Sequence, residues 1–134
     1  METYTEIKQR HQEDVNVFPI TFAFSEKQLK EALVKLHAVR EECCTVGAGS
    51  IMKKSDRAAF NAMYKRHEVE MVSFFLDDNS LIDAIVYELA NHEYGYTYDP
   101  TDTIEALSLD MTQERIQDCF NTAKIKYCET NEDN

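Results

Sequence analysis

Hydrophobic positions recur at two spacings along this chain, and each change of spacing marks an element. Tyr4, Ile7 and His11 fall at helical spacing within residues 3–14, which predicts a short polar helix. Phe18, Ile20, Phe22 and Phe24 then alternate, so they share one face of a strand that needs a large cover. Pro19 cannot donate to a ladder, so this end of the strand lies at an edge or is irregular. Ser25 with Gln28 fits a capping box for a helix over 26–39, with Leu29, Ala32, Leu33 and Leu36 as its apolar stripe. Residues 45–53 contain Gly47 and Gly49 and read as a second strand or a glycine-bent connection.

Ser55 is placed to cap a longer helix over 56–76, with Phe60, Met63, Tyr64, His67, Met71 and Phe74 down one side. Residues 77–80 make a turn, and the helix over 81–90 is apolar nearly all round, which marks it as central. Tyr94, Tyr96 and Tyr98 alternate like a short strand, which Asp99 and Pro100 end. A short helix through Leu107 follows. Asp110 with Gln113 opens the last helix over 111–128, striped by Ile116, Cys119, Phe120, Ala123 and Tyr127. Residues 129–134 read as a frayed acidic tail. The pattern predicts a helix-rich α+β single domain, with about five helices packed on a small two- or three-stranded sheet. Its expected core includes Phe18, Phe22, Phe24, Leu33, Phe60, Met71, Ile85, Leu89 and Phe120.

Composition narrows the setting. A length of 134 residues supports one self-sufficient core, and a 43% hydrophobic fraction argues against disorder. No apolar run approaches the ~20 residues of a membrane span. The first residues lack the basic start and apolar stretch of a secretory signal, so a cytoplasmic protein is expected. Adjacent Cys43 and Cys44 suit neither a disulfide framework nor a zinc knuckle, and Cys119 and Cys128 are too far apart on one helix to bridge. All four are expected as free, mostly buried thiols.

Charge changes the picture more. Residues 77–134 hold fourteen acids and three bases, a net of −11 that equals that of the whole chain. Residues 25–76 carry +2 and residues 1–24 carry −2. Between positions 77 and 118, eleven acids accompany a single base, Arg115. Such a segment repels nucleic acid phosphates and attracts basic surfaces. A solubilising face explains the same charge without any partner.

Candidate chemistry concentrates in residues 88–100. Glu88 and His92 are four apart, on one face of a helix end, the spacing of a preset pair of metal ligands. His67 can supply a third ligand from the preceding helix. A helix C-terminus stabilised by His92 is the structural explanation of the same pair. His67 also sits on an apolar stripe, the place of a hydrogen-bonded core histidine. Gly47, Ala48, Gly49 and Ser50 before Lys53 and Lys54 depart in spacing from a phosphate-binding loop. No serine or cysteine lies in a nucleophile elbow, so no catalytic residue is assigned. Tyr94, Tyr96 and Tyr98 with Glu93, Asp99, Asp102 and Glu105 form a candidate interaction surface, tyrosines being favoured at contacts with one wet edge.

Several blocks carry a resemblance. They are Arg10 and His11 through Phe18, Pro19 and Ile20, with Phe22 to Ser25; Gly47 to Gly49 with Lys54, Ser55 and Asp56; and Glu88 to Tyr94. Over residues 8–107 the chain resembles an uncharacterised family of small acidic proteins from bacterial phages and mobile elements. The resemblance implies a cytosolic accessory protein acting on a host protein, and it carries over no functional residue. The expected function is therefore a small acidic protein-binding module that inhibits a basic, nucleic-acid-handling defence enzyme through its carboxyl-terminal half. It would need no cofactor and touch neither nucleic acid nor membrane. Two other readings stand beside it: a metal-dependent hydrolase built on Glu88, His92 and His67, and a structural component of a particle.

Overall fold

Side chains at Ser25 and Asp77 cap the starts of two helices. A computed structural model describes residues 2–132. Helix α1 covers Tyr4–Asn16, strand β1 Ile20–Phe22 and helix α2 Glu26–Leu36. At the start of α2, Ser25 Oγ accepts from the Gln28 amide at 3.2 Å, and Gln28 Oε1 accepts from the Phe24 amide at 2.7 Å. Strands β2 (Cys43–Thr45) and β3 (Ser50–Lys53) follow, then α3 (Arg57–Phe74) and α4 (Asp78–Asn91). Three helices complete the order: α5 (Tyr94–Thr97), α6 (Thr101–Ala106) and α7 (Glu114–Glu132). The fold is helix-rich α+β, as the sequence pattern predicts. Ser55 does not cap α3: it lies inside a 3₁₀ turn, Lys54–Asp56, whose tighter winding delays the helix to Arg57. Helix α7 continues through Glu132, so residues 129–132 are helical rather than a frayed tail, and Asp133 and Asn134 lie outside the described residues.

The chain divides into two compact units, one of Lys8–Val69 and one of Met1–Ile7 with Glu70–Asn134. In the first, three antiparallel strands lie in the order β1-β3-β2, with Met52 opposite both Ile20 and Cys44. The glycine-bent stretch is the hairpin turn between β2 and β3. Gly47, Ala48 and Gly49 all take positive φ, and a Cβ on Gly49 would meet the Phe24 ring at 2.5 Å. Ile51 packs with Ala32 and Leu36 of α2, closing a small core.

The second unit is built on α4. Leu81, Ala84, Ile85 and Leu89 recur at helical spacing and have no exposure. They cluster with Ile116, Cys119, Phe120 and Ala123 of α7, and with Tyr4 of α1. Among the described residues no helix is long and apolar enough to cross a membrane.

The expected core is partly corrected. Ile85, Leu89 and Phe120 are buried, while Phe18, Leu33, Phe60 and Met71 are half-buried. Phe22 is 57% exposed and Phe24 74% exposed. Only three residues of the alternating stretch join the sheet, and α2 covers the face that carries Thr21 and Ile51, so Phe22 on the opposite face stays largely uncovered. The four cysteines are free, with Cys119 buried, Cys43 and Cys44 half-buried and Cys128 exposed.

Leu89→Ala should therefore lower unfolding free energy by about 2–5 kcal/mol, as a large-to-small change at a filled site does. Phe22→Ala should cost under about 1 kcal/mol, within the range of surface changes away from packed features. Urea midpoints of the two variants check the contrast, which an equal loss in both would contradict.

Candidate functional site

Two arrangements emerge from the residues between α4 and α6. The first is an acidic, tyrosine-bearing surface. Glu93 adopts a left-handed conformation after α4, and the chain then closes one helical turn, with the Tyr98 amide donating to the Tyr94 carbonyl at 2.9 Å. The expected third strand is thus the helix α5. Alternation over three tyrosines cannot separate a strand from a single turn, and the local i to i+4 bond decides it. Tyr94 becomes a support: its ring packs against Tyr98 and Tyr127 at 6.2 and 5.8 Å between centroids. Gly95 permits that approach, because its amide donates to the Tyr127 hydroxyl at 3.0 Å and a Cβ would stand 2.8 Å from the same oxygen.

Tyr96 and Tyr98 project outward, 88% and 76% exposed. Glu93, Asp99, Asp102 and Glu105 are exposed as well, while Thr103 turns inward from α6 and is fully buried. Of the eleven acids between positions 77 and 118, ten are exposed and only Glu88 is buried. The charge also divides with the structure. The unit containing α4 holds seventeen acids and three bases, a net of −14, and the other holds eight acids and eleven bases, a net of +3.

Three of the exposed acids carry local structure. Asp77 Oδ2 accepts from the Ser80 amide at the start of α4. Asp99 Oδ1 accepts from Thr101 before α6, and Asp110 Oδ1 from Thr112 before α7. Hydrogen bonds to the ionised form hold all three carboxyls below the usual carboxylate range, chiefly those from Ser80, Thr101 and Thr112 respectively.

The second arrangement surrounds Glu88, which is 1% exposed. The Tyr4 hydroxyl donates to its Oε1 at 2.8 Å, and Asn91 Nδ2 approaches Oε2 at 3.5 Å. His92 is the C-cap of α4, and its Nε2 lies 3.1 Å from Glu88 Oε2, outside hydrogen-bond alignment. Desolvation, reinforced by the bond to Glu88, pushes the Tyr4 hydroxyl far above the ordinary tyrosine range. Glu88 and His92 thus meet, but as partners turned on each other inside packed structure.

His67 belongs to the other unit. Its Nε2 lies 2.9 Å from Asp14 Oδ2, within hydrogen-bond distance. Its ring stacks on His11 at 3.9 Å between centroids, 13° from parallel. No local sequence pattern relates the two rings, which come from α1 and α3. Among the described residues, no group of three or more His, Cys, Asp or Glu stands where a metal ion could be held.

Two pH limbs follow from these groups. Tyr4 keeps its proton more tightly when folded, so its contribution is present below about pH 10 and is lost as pH rises further. Tyr4→Phe should cost about 1–3 kcal/mol at neutral pH, by leaving a buried carboxylate oxygen without its donor, and should flatten the alkaline loss. The capping aspartates are depressed, so their contribution is present above about pH 4 and disappears as pH falls through their lowered range. Asp77→Asn with Asp110→Asn should reduce the acid-side slope of melting temperature against pH. Thermal melts from acid to alkaline pH measure both limbs, and unchanged slopes would contradict the assignments.

The chain belongs to a family described as "Family of unknown function (DUF7659)", whose model matches residues 3–126. No curated protein and no solved structure matches it.

Proposed function

We propose that this member of a family without an assigned activity is a protein-binding module that docks on a partner's basic surface through Glu93, Tyr96, Tyr98, Asp99, Asp102 and Glu105. The observation that carries the reading is the concentration of charge: a net of −14 falls on one structural unit, and ten of its eleven acids between positions 77 and 118 face water. A field of that sign accelerates encounter with a basic protein and repels nucleic acid. Tyr96 and Tyr98 add large, nearly bare aromatic surfaces beside the acids, the residue type that anchors interfaces. The resemblance to acidic proteins of phages and mobile elements supports a narrower partner, a nucleic-acid-handling defence enzyme of the host cytoplasm. On such an enzyme the carboxylates occupy places that phosphates take on its substrate.

The metal-dependent reading would need Glu88 and His92 to turn toward an ion. Glu88 is buried and already bonded to Tyr4, so that rearrangement would break a buried hydrogen bond.

The test combines capture with kinetics. The wild-type chain and the triple variant Asp99→Lys, Asp102→Lys, Glu105→Lys are immobilised, exposed to host lysate, and the captured protein is purified for association measurements. The wild type should capture a protein with a basic nucleic-acid-binding surface, and the association rate should fall at least tenfold between about 0.05 and 0.5 M salt. The triple variant should stay folded, slightly less stable for want of the Asp99 bond to Thr101, and associate at least tenfold more slowly. Equal capture by both chains, or an association rate indifferent to salt, would overturn the proposal.

A further inference from the structure

The unit of Lys8–Val69 contains an open cleft of about 450 Å³, within the size range of small-ligand sites. Strand alternation explains what enters it. Thr21 pairs with Ile51 across β1 and β3, and Lys53 lies two residues beyond Ile51, so the three side chains share one face of the sheet. Ile51 packs against Ala32 and Leu36, which makes this the face that α2 covers. Lys53 is therefore half-buried on the α2 side, next to buried Leu36 and to Pro19 at the cleft edge. Lys35 and His37, from the end of α2, line the same space, as does Asp56.

Asp56 is the carboxylate lining this cleft, and among the described residues no ion pair joins it to Lys35 or Lys53. Elsewhere ion pairs join Arg40 to Glu26, Arg115 to Asp78 and Lys126 to Asp83. Among the described residues, no ion pair or hydrogen bond engages the ammonium of Lys35 or Lys53. The positive end of Lys35 is favourable beside a helix C-terminus, which accounts for that residue alone. Lys53 has no such neighbour: it stands at the end of β3, partly withdrawn from water, at a cost that an anion beside it would offset.

We propose that this cleft binds a small organic anion, a single phosphate or carboxylate carried on an apolar body. Lys53 and Lys35 neutralise the acidic head, the Thr21 hydroxyl donates to it, and Leu36 with Pro19 packs the body. Asp56 repels a second acidic group, so the site favours one compact head over a polyphosphate chain. The site lies in the basic unit and is independent of the acidic docking surface.

The test is an amide ¹H–¹⁵N titration of the full chain with phenyl phosphate, inorganic phosphate, benzoate and, as the uncharged control, phenol. Phenyl phosphate or benzoate should shift the amides of Thr21, Leu36, His37 and Lys53 saturably, and the tighter of the two identifies the preferred head. Inorganic phosphate should bind about tenfold more weakly for want of an apolar body, and phenol should not saturate. Lys53→Gln and Lys35→Gln should each weaken binding about tenfold, the scale of one charge-assisted contact. Lys65→Gln, on α3, should leave it unchanged. Lys35 is exposed, so its variant reads the same contact if Lys53→Gln proves unstable. The absence of a saturable shift with both aromatic anions, equal affinity in wild type and both cleft variants, or shifts spread over all lysines would overturn the proposal.

Discussion

Helix α4 places Leu81, Ala84, Ile85 and Leu89 in a stripe without exposure, and Glu88 in the same buried stripe. Full burial of each large aliphatic side chain contributes about 1.5–3 kcal/mol, so the stripe is the main source of cohesion in its unit. It also fixes α7, whose Ile116, Cys119, Phe120 and Ala123 are spaced to meet it. A carboxylate in that surface is tolerable only with partners. The Tyr4 hydroxyl supplies a hydrogen bond, and His92 stands 3.1 Å away. Position 88 is thus a packing position that happens to bear a polar group, and Tyr4 is the residue that answers it.

The exposed acids follow from the same constraint. Once α4 and α7 commit their apolar stripes to each other, the remaining faces must be polar. This chain fills them with carboxylates almost without compensating bases. Mutual repulsion is the cost, and Asp77, Asp99 and Asp110 reduce it by satisfying amides at helix starts. Surface charge therefore has both a local structural use and a long-range field. Tyr96 and Tyr98 stand exposed among these acids, around α5.

The basic unit is built differently. Its sheet has three strands of three or four residues, covered on one side by α2 through Ile51, Ala32 and Leu36. So small a core leaves aromatic residues partly uncovered, as Phe22 and Phe24 are. It also leaves room beside the end of β1, where Pro19 cannot extend the ladder and Lys53 stands next to Leu36.

The sequence by itself determined the longer helices, the capped start at Ser25, the centrality of α4 and the segregation of charge. Those features depend on spacing and residue type within one or a few turns, and they are local. Tertiary structure alone decided the rest. Alternation in residues 18–24 predicts a buried face, but burial needs a covering surface, and α2 covers the opposite face of the sheet. Three alternating tyrosines predict a short strand, whereas the left-handed Glu93 and the Tyr127 contact to Gly95 accompany a helical turn. Glu88 looked like one more surface acid or a metal ligand because its partner, Tyr4, lies 84 positions away in sequence. The His11–His67 stack was hidden for the same reason, and so was the cleft at Lys53. Pairings of this kind join residues that no local pattern relates, and only the folded chain brings them within reach.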